Sequence, residues 1–446
     1  MYGYACPMNF QPKFDSHRPL DGRFRHDAAE AGPEVEPAAA PTPQAEPEPA
    51  PAPPPRDDGA NRSLIFRLSL IGFLGALASR ATDPIIPPIA HDIQVDPNAV
   101  ALLTTAFALP FALVQPVLGP AADMLGKVRV MIACLAVTIL AMLVSGFATD
   151  FTTLLAARVV AGIAGGGIFP VGIALIGDLV PVKERQVAIG RWLTAVITGN
   201  LLGSSLAGVV GDLLGWRGVF FVITALGVIA LIVAIVSLRE AARVKPAGLS
   251  LSGFSAGYGK VFANPRAKVC FGAVFVEGIV VFGLFPFVAL LLVAAGEPRA
   301  SIAGLVIAGF SAGGVIYALL VPFLVARWRP EQLMIGGGAI AAFALSIVAF
   351  DFAWPIQLAA FILLGVGFYT LHASIQVQAT ELSSSARGAA MSMHSFFFFV
   401  GHASGPVLYG LGFARLGSAI TISVAAISVM GVGIVCARLL RERTAE

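Results

Sequence analysis

GNLLGSSLAGVVGDLLG, residues 199–215, and GHASGPVLYGLGFARLG, residues 401–417, lie 202 positions apart in the chain. Laid on one another without a gap they put Gly199, Gly203, Gly208 and Gly215 on Gly401, Gly405, Gly410 and Gly417. Glycine makes up 48 of 446 residues, about one in nine, so four coincidences in so short a window are hard to reach by chance. The same offset carries Pro84 onto Pro286, Pro120 onto Pro322, Lys127 onto Arg329, Gly165 onto Gly367 and Arg185 onto Arg387. The chain therefore reads as two related halves.

Composition sets the medium in which the halves sit. Hydrophobic residues are 57% of the chain and charged ones 12%, against roughly 45–50% and 25% in an ordinary soluble domain. Apolar segments of about twenty residues, the length that crosses roughly 30 Å of hydrocarbon as a helix, fall near 64–90, 98–120, 128–147, 151–173, 188–212, 217–238, 268–293, 301–326, 332–350, 354–377, 388–412 and 418–438. Six spans separate equivalent segments, so the halves run in the same direction. The expected fold is an all-α membrane protein of twelve transmembrane helices in two parallel-repeat six-helix bundles. Secondary transporters use this plan, with the substrate site near the midplane between the halves.

The spans divide the chain into an N-terminal bundle at 63–238, a linker rich in Gly, Ser and basic residues at 239–267, and a C-terminal bundle at 268–440. One set of connectors carries Arg62, Arg67, Lys127, Arg129, Lys183, Arg185, Arg239, Arg243, Lys245, Lys260, Arg266, Arg327, Arg329, Arg387, Arg441 and Arg443, while the other offers little beyond Arg217, Arg299 and Arg415. The positive-inside rule then expects both termini in the cytoplasm, with the protein in the cytoplasmic (inner) membrane. Residues 1–62 are expected as a disordered cytoplasmic tail, because Ala, Pro and Glu dominate from Ala28 to Pro55 and leave too little apolar surface to offset the entropy of ordering. No short apolar stretch with a small-residue cleavage site comes before it, so no secretory signal peptide is expected. A net charge of +3 spread between apolar runs gives no case for a nucleic-acid partner. Cys6, Cys134, Cys270 and Cys436 have no paired or metal-type spacing and are expected to be inert.

The connector after the second span reads GPAADMLGKVRVM (119–131) and resembles the signature loop of the major facilitator superfamily at Gly119, Asp123, Gly126, Lys127 and Arg129, departing from it at Met124. In the fourth span RVVAGIAGG (158–166) resembles that family's Arg-x-x-x-Gly element, with Ala161 in place of a common Gln. GNLLGSSLAG (199–208) resembles the glycine-rich motif of its antiporters, with Ser204 where the motif has Pro and Ala207 where it has Gly; the Gly-Pro pair stands instead at Gly405-Pro406. With WRGVFF (216–221), the chain is most similar to the twelve-span drug:proton antiporter branch. The resemblance covers essentially everything after Arg62 and implies that Asp123 latches the cytoplasmic side in one conformation. Physically, glycines four or five apart let another helix backbone come close, since helix association in lipid rests on packing. Gly199, Gly203, Gly208, Gly401, Gly405 and Gly410 are expected to serve packing first and hinge motion second.

Ionisable groups inside spans are costly, so they usually face the protein interior and find one another. Arg80 and Asp83 lie in the outer third of the first span and Arg158 at similar depth in the fourth; Asp83 is expected to pair with Arg80 or Arg158, unless Asp83-Pro84 ends the span at the wet interface. Glu277 stands alone among the aliphatic and aromatic residues of FVEGIVVFGLF (275–285), roughly 14 Å deep by helix rise. A carboxyl taken out of water favours its neutral form and can release its proton when the site opens, which suits proton coupling. It can equally recognise a cation in its ionised form, or be a structural acid satisfied by a neighbouring helix. Asn200 can bond substrate or serve packing. His394 and His402 fall on one face of the eleventh span without a carboxylate at ligand spacing, so no metal site is expected. Phe107, Phe111, Phe285, Phe287, Phe368, Tyr369 and Phe396 to Phe399 can line a cavity, although most Phe in a membrane helix face lipid or a neighbour.

There is no G-x-x-x-x-G-K-[ST] loop and no H-E-x-x-H. No enzyme activity and no cofactor are expected. The partners expected are the lipid bilayer, protons and a small-molecule substrate, for a monomer that exports small amphipathic or drug-like compounds in exchange for protons by alternating access. Proton-coupled uptake or facilitated release of a metabolite such as a sugar is the alternative within transport. A non-transporting scaffold or sensor is the alternative from another class, and it has little reason to keep buried charges.

Overall fold

The computed structural model describes residues 58–180, 182–238, 258–350, 352–383 and 386–441. Most of the expected tail, and the linker from 239 to 257, lie outside the described residues. In hydrocarbon every backbone N–H and C=O must find its partner within the segment. Accordingly, every regular element among the described residues is a helix: α1 (Asp58–Arg80), α2 (Ile86–Ile93), α3 (Pro97–Leu125), α4 (Lys127–Phe147), α5 (Phe151–Leu179), α6 (Val182–Ser237), α7 (Arg266–Val280), α8 (Val288–Ala294), α9 (Ala300–Arg327), α10 (Pro330–Val348), α11 (Trp354–Thr380), α12 (Arg387–Leu416) and α13 (Ser418–Leu439), with 3-10 turns at Asp83–Ile85 and Phe282–Phe287. The surface is apolar where a soluble protein's would be polar; Leu213, Leu319 and Ile427 are 76%, 77% and 72% exposed.

Eleven stretches among the described residues are long and apolar enough to cross a bilayer. One of them holds two spans: α6 has 56 residues, about 84 Å of helix at 1.5 Å per residue against roughly 30 Å of hydrocarbon. Gly215, at φ 71°, ψ 172°, breaks it into arms 182–214 and 216–237. That conformation is essentially open to glycine alone, and Gly417, its repeat equivalent, adopts nearly the same one (φ 81°, ψ 167°) between α12 and α13. The repeat read from glycine spacing is thus present in the backbone. It recurs at Gln94 (φ 57°) and Gly296 (φ 88°), 202 positions apart.

The first and seventh spans are interrupted at matching places. α1 stops at Arg80, Asp83–Ile85 forms a 3-10 turn, and α2 resumes; α7 stops at Val280, Phe282–Phe287 turns, and α8 resumes. Pro84 and Pro286 lack the N–H that an unbroken helix would need there. The first span therefore does not end at Asp83, which is 1% exposed.

The two halves share one apolar core at one end only. A single continuous cluster joins Leu77, Ile85, Leu103, Phe107 and Phe220 of the first half to Phe271, Phe285, Phe310 and Tyr409 of the second. A separate cluster, running from Leu64 to Leu74 and through Met131, Ile168, Trp192 and Leu238, belongs to the first half alone. At the joined end Thr105 Oγ1 donates to the Ala403 carbonyl at 2.7 Å. Asp212 accepts from the backbone N–H of Ala300 and Ser301, each at 2.9 Å, and so caps α9 from across the seam. Beside that cap a Cβ at Gly208 would collide with the Ala300 carbonyl, and one at Gly304 with the Ser204 carbonyl.

Candidate functional site

Where the shared core ends, a cavity of about 290 Å³ lies between the halves. Ser79, Arg80, Phe107 and Asn200 face it from the first half, and Phe282, Tyr369, His372, His394 and His402 from the second. Its polar lining comes from several helices: Ser79 and Arg80 end α1, Asn200 lies on α6, His372 on α11, and His394 and His402 on α12.

On the first half, Arg80 Nη1 lies 3.5 Å from Asp83 Oδ2, an electrostatic contact that lacks the alignment of a hydrogen bond. Thr104 Oγ1 donates to Asp83 Oδ1 at 3.0 Å. The Arg80 guanidinium sits over the rings of Phe282 and Phe285, 4.6 and 4.9 Å from their centroids. Arg158 is fully buried and directs its guanidinium at the carbonyls of Leu103 and Ala78, each at 3.4 Å, and of Ser79 at 3.5 Å, while covering Phe107 at 4.5 Å. Asp83 therefore has Arg80 as its ion-pair partner. Asn200 Oδ1 is 3.5 Å from Ser79 Oγ.

On the second half, Glu277 of α7 is completely buried, with no surface in the cavity. His372 of α11 stands between them: its side chain is 16% exposed and Nδ1 lies 2.8 Å from Glu277 Oε2. Glu277 Oε1 has no hydrogen-bond partner among the described residues. The His372 ring meets His394 edge-on at 5.0 Å between centroids and stacks on Phe368 at 4.9 Å. No group of three His, Cys, Asp or Glu capable of holding a metal occurs among the described residues. His372 is the functional candidate that sequence reasoning missed, although the rule that flagged Glu277, an ionisable group alone in a span, applies to it equally.

The connector after the second span is more helical than its motif suggests. α3 continues through Gly119 and Asp123 to Leu125, and the chain turns at Gly126 alone (φ 94°), which caps both α3 and α4. The side chain of Asp123 lies outside the described residues. Lys127 Nζ reaches Asp178 Oδ2 of α5 at 2.5 Å, and Arg129 is exposed. Among the helix-packing glycines, a Cβ at Gly199 would collide with the Phe73 carbonyl, at Gly203 with that of Leu77 and at Gly401 with that of Phe275, while one at Gly405 would meet Gly283. Gly410 differs: its nearest neighbour would be Phe287 at 3.7 Å, an ordinary contact.

Comparison with known proteins agrees with this architecture. Multidrug resistance protein 1 of Bacillus subtilis (strain 168) is 25% identical over 346 residues, 76% of this chain and 87% of its own. Quinolone resistance protein NorA of Staphylococcus aureus (strain COL) is 26% identical over 380 residues, 82% and 95% of the two chains. Among solved structures, a bacterial homologue of the human lysosomal transporter Spinster, inward-facing and unoccupied, aligns with a TM-score of 0.65 at 19% identity over 86% of this chain and 95% of its own. The nucleoside transporter NupG aligns with a TM-score of 0.67 at 16% identity over 84% and 98%. At those identities the two structures speak to the fold alone. The family model described as Major Facilitator Superfamily matches residues 68–406, from the first broken span to the eleventh, and the chain belongs to that superfamily of membrane transporters.

Proposed function

We propose that this transporter exports small amphipathic, drug-like compounds from the cytoplasm in exchange for protons. The observation that carries the reading is a buried carboxyl, Glu277, set behind a cavity between two halves that are joined at one end only, with a titratable imidazole, His372, between the acid and the cavity. With both termini in the cytoplasm of a cell whose inner membrane holds the protein, as the distribution of Lys and Arg favours, the joined end is the outer one and the cavity faces inward.

The physical sequence follows from burial. An isolated carboxylate is expensive away from water, so Glu277 carries a proton when sealed and gives it up when the cavity delivers water or a base. His372 Nδ1 is the atom through which that proton passes. A change in the charge behind the cavity then alters which arrangement of the halves is favoured, which is what coupling requires. Arg80, Asp83 and Arg158 form a fixed charged frame on the other half, with Asn200 beside it. The connector residues Gly119, Asp123, Gly126, Lys127 and Arg129 latch the cytoplasmic ends when the cavity faces outward. Gly199, Gly203, Gly401 and Gly405 let the core helices of each half pack close to their neighbours, and Gly208 does the same across the seam. One chain contains the whole cavity, so the working unit is a monomer. Names of relatives support the direction: two that match most of the chain are called multidrug and quinolone resistance proteins.

Reconstitution tests the reading. In proteoliposomes with an imposed pH gradient, amphipathic drugs should move against their own gradient at a rate set by the sign and size of the proton gradient. Movement that ignores the gradient would leave a facilitator, and no movement of any compound by folded protein would return the scaffold alternative.

A further inference from the structure

We propose that Arg80, Asn200 and His402 form a head-group site in the cavity that selects planar aromatic compounds bearing a hydrogen-bond acceptor, a carboxylate above all, over aromatic cations. The inference rests on the export reading for calling the occupant a substrate; the binding site itself does not depend on it.

His402 is the starting observation. It is 6% exposed, lines the cavity, and neither ring nitrogen has a hydrogen-bond partner among the described residues. Leaving such a group buried and unpaired is unfavourable, so a ligand that pairs with it recovers that cost. Asn200, the residue 202 positions earlier, lines the cavity from the other half. The repeat thus places one polar residue at the same position of each half. Arg80 completes the group: its guanidinium is 4.6 Å from the centroid of Phe282, and the His402 ring is 5.3 Å from the same ring.

The chemistry of this group is donor-rich. A guanidinium offers five N–H donors, an amide two and a neutral imidazole one, while Asp83 meets Arg80 through a single oxygen at 3.5 Å. Among the described residues lining the cavity, Arg80 is the one guanidinium or ammonium, and no carboxylate faces the space. The fixed frame beside it, Arg80, Arg158 and Asp83, holds two cations to one anion. A cation could instead seek aromatic faces, yet guanidiniums already cover Phe107, Phe282 and Phe285. Phe111, Phe368, Phe398 and Phe399 remain as walls for a flat apolar body.

Three probes sharing one ring system test the site: 2-naphthoate, 2-naphthamide and 2-naphthyltrimethylammonium, titrated into the purified full chain, with quenching of the cavity residue Trp192 as the readout. Naphthoate should bind at least tenfold tighter than the ammonium compound, with the amide between them. Losing one hydrogen bond to a charged group should weaken naphthoate about tenfold in His402→Phe and in Asn200→Leu, leave the ammonium compound unchanged, and be largely restored in His402→Gln. Arg80→Lys keeps the charge and loses the fork; it should reduce the preference for naphthoate while preserving its sign. Equal or tighter binding of the ammonium compound by the parent, or unaltered naphthoate affinity in both His402→Phe and Asn200→Leu, overturns the proposal. If naphthoate binds as stated but nothing is transported in liposomes, the export reading fails and the site stands. If drugs are transported and only the ammonium compound competes with them, the site fails and export stands.

Discussion

The first and seventh spans break at equivalent prolines and carry opposite chemistry. Around Pro84 the chain places Arg80 and Asp83, with Arg158 and Thr104 closing in from neighbouring helices, so the buried anion has an ion-pair partner and a hydroxyl donor. Around Pro286 it places Phe282, Phe285 and Phe287, and the acid has moved to Glu277, where one carboxyl oxygen has an imidazole and the other has no partner among the described residues. A repeat fixes backbone geometry, through residues that only a particular conformation accepts. It leaves side-chain chemistry free to diverge, and a compensated charge cluster on one side with an uncompensated one on the other gives a frame and a moving part.

Removing the anion from the compensated cluster should have the largest effect. Asp83→Asn keeps size and leaves two buried guanidiniums without a counter-charge, and breaking a buried pair in this way costs roughly 3–5 kcal/mol. A thermal unfolding midpoint several degrees below the parent's, and poor yield, are expected. A variant as stable as its parent would make Asp83 and Arg80 independent of one another and remove the difference between the two broken spans.

The same change on the other half should spare the fold and stop the work. Glu277→Gln removes titration and preserves shape, so the unfolding midpoint should stay within a degree or two while proton-driven accumulation falls at least tenfold, about 1.4 kcal/mol, and exchange of substrate across a membrane without a pH gradient persists. His372→Gln, which keeps a polar group at the cavity side but cannot carry a proton at neutral pH, should slow accumulation less severely. Accumulation by Glu277→Gln with the parent's pH dependence would move the proton site elsewhere, with Asp83 the next candidate.

Sequence made the backbone legible and left the partnerships hidden. Glycine and proline punctuate a helix whatever surrounds it, which is why the offset of 202 read from Gly215 and Gly417 reappears as matching φ and ψ. Hydropathy likewise marked the spans, though α3 runs on through Asp123 because the turn needs only Gly126. Which group meets Glu277 is decided by how α7, α11 and α12 pack, and an imidazole 95 residues away leaves no local trace. Asp212 was hidden for the same reason: next to a helix end it looks like a solvated charge, and only the packed seam turns it into a cap on a helix of the other half.

That cap offers a smaller test. Asp212→Ala removes both acceptors from the first N–H groups of α9, a loss of about 1 kcal/mol for a helix N-cap. Because the two groups lie on different halves, the loss should appear as a shift of roughly fivefold toward separation of the joined end, measured as the distance between labels on the α6 arm and the start of α9. Gly208→Ala, which forces a methyl against the Ala300 carbonyl, should shift the same equilibrium further. Unchanged distance distributions in both variants would mean that the seam is held by its shared apolar core and the Thr105–Ala403 hydrogen bond without help from the cap.

The smallest effect separates two glycines that the repeat makes equivalent. Gly208 and Gly410 occupy the same position of their halves, yet the added methyl that collides with backbone at Gly208 finds only Phe287 at 3.7 Å and Asn98 at 3.9 Å at Gly410. Alanine is favoured over glycine inside a helix by roughly 0.5–1 kcal/mol, and an ordinary contact with an aromatic ring adds a little more. Gly410→Ala is therefore expected to leave transport unchanged and to raise the unfolding midpoint slightly or not at all. Loss of transport in that variant would show that α12 closes on the Phe282–Phe287 turn or on α3 during the cycle, so that the room beside Gly410 is used in the conformation opened at the other end.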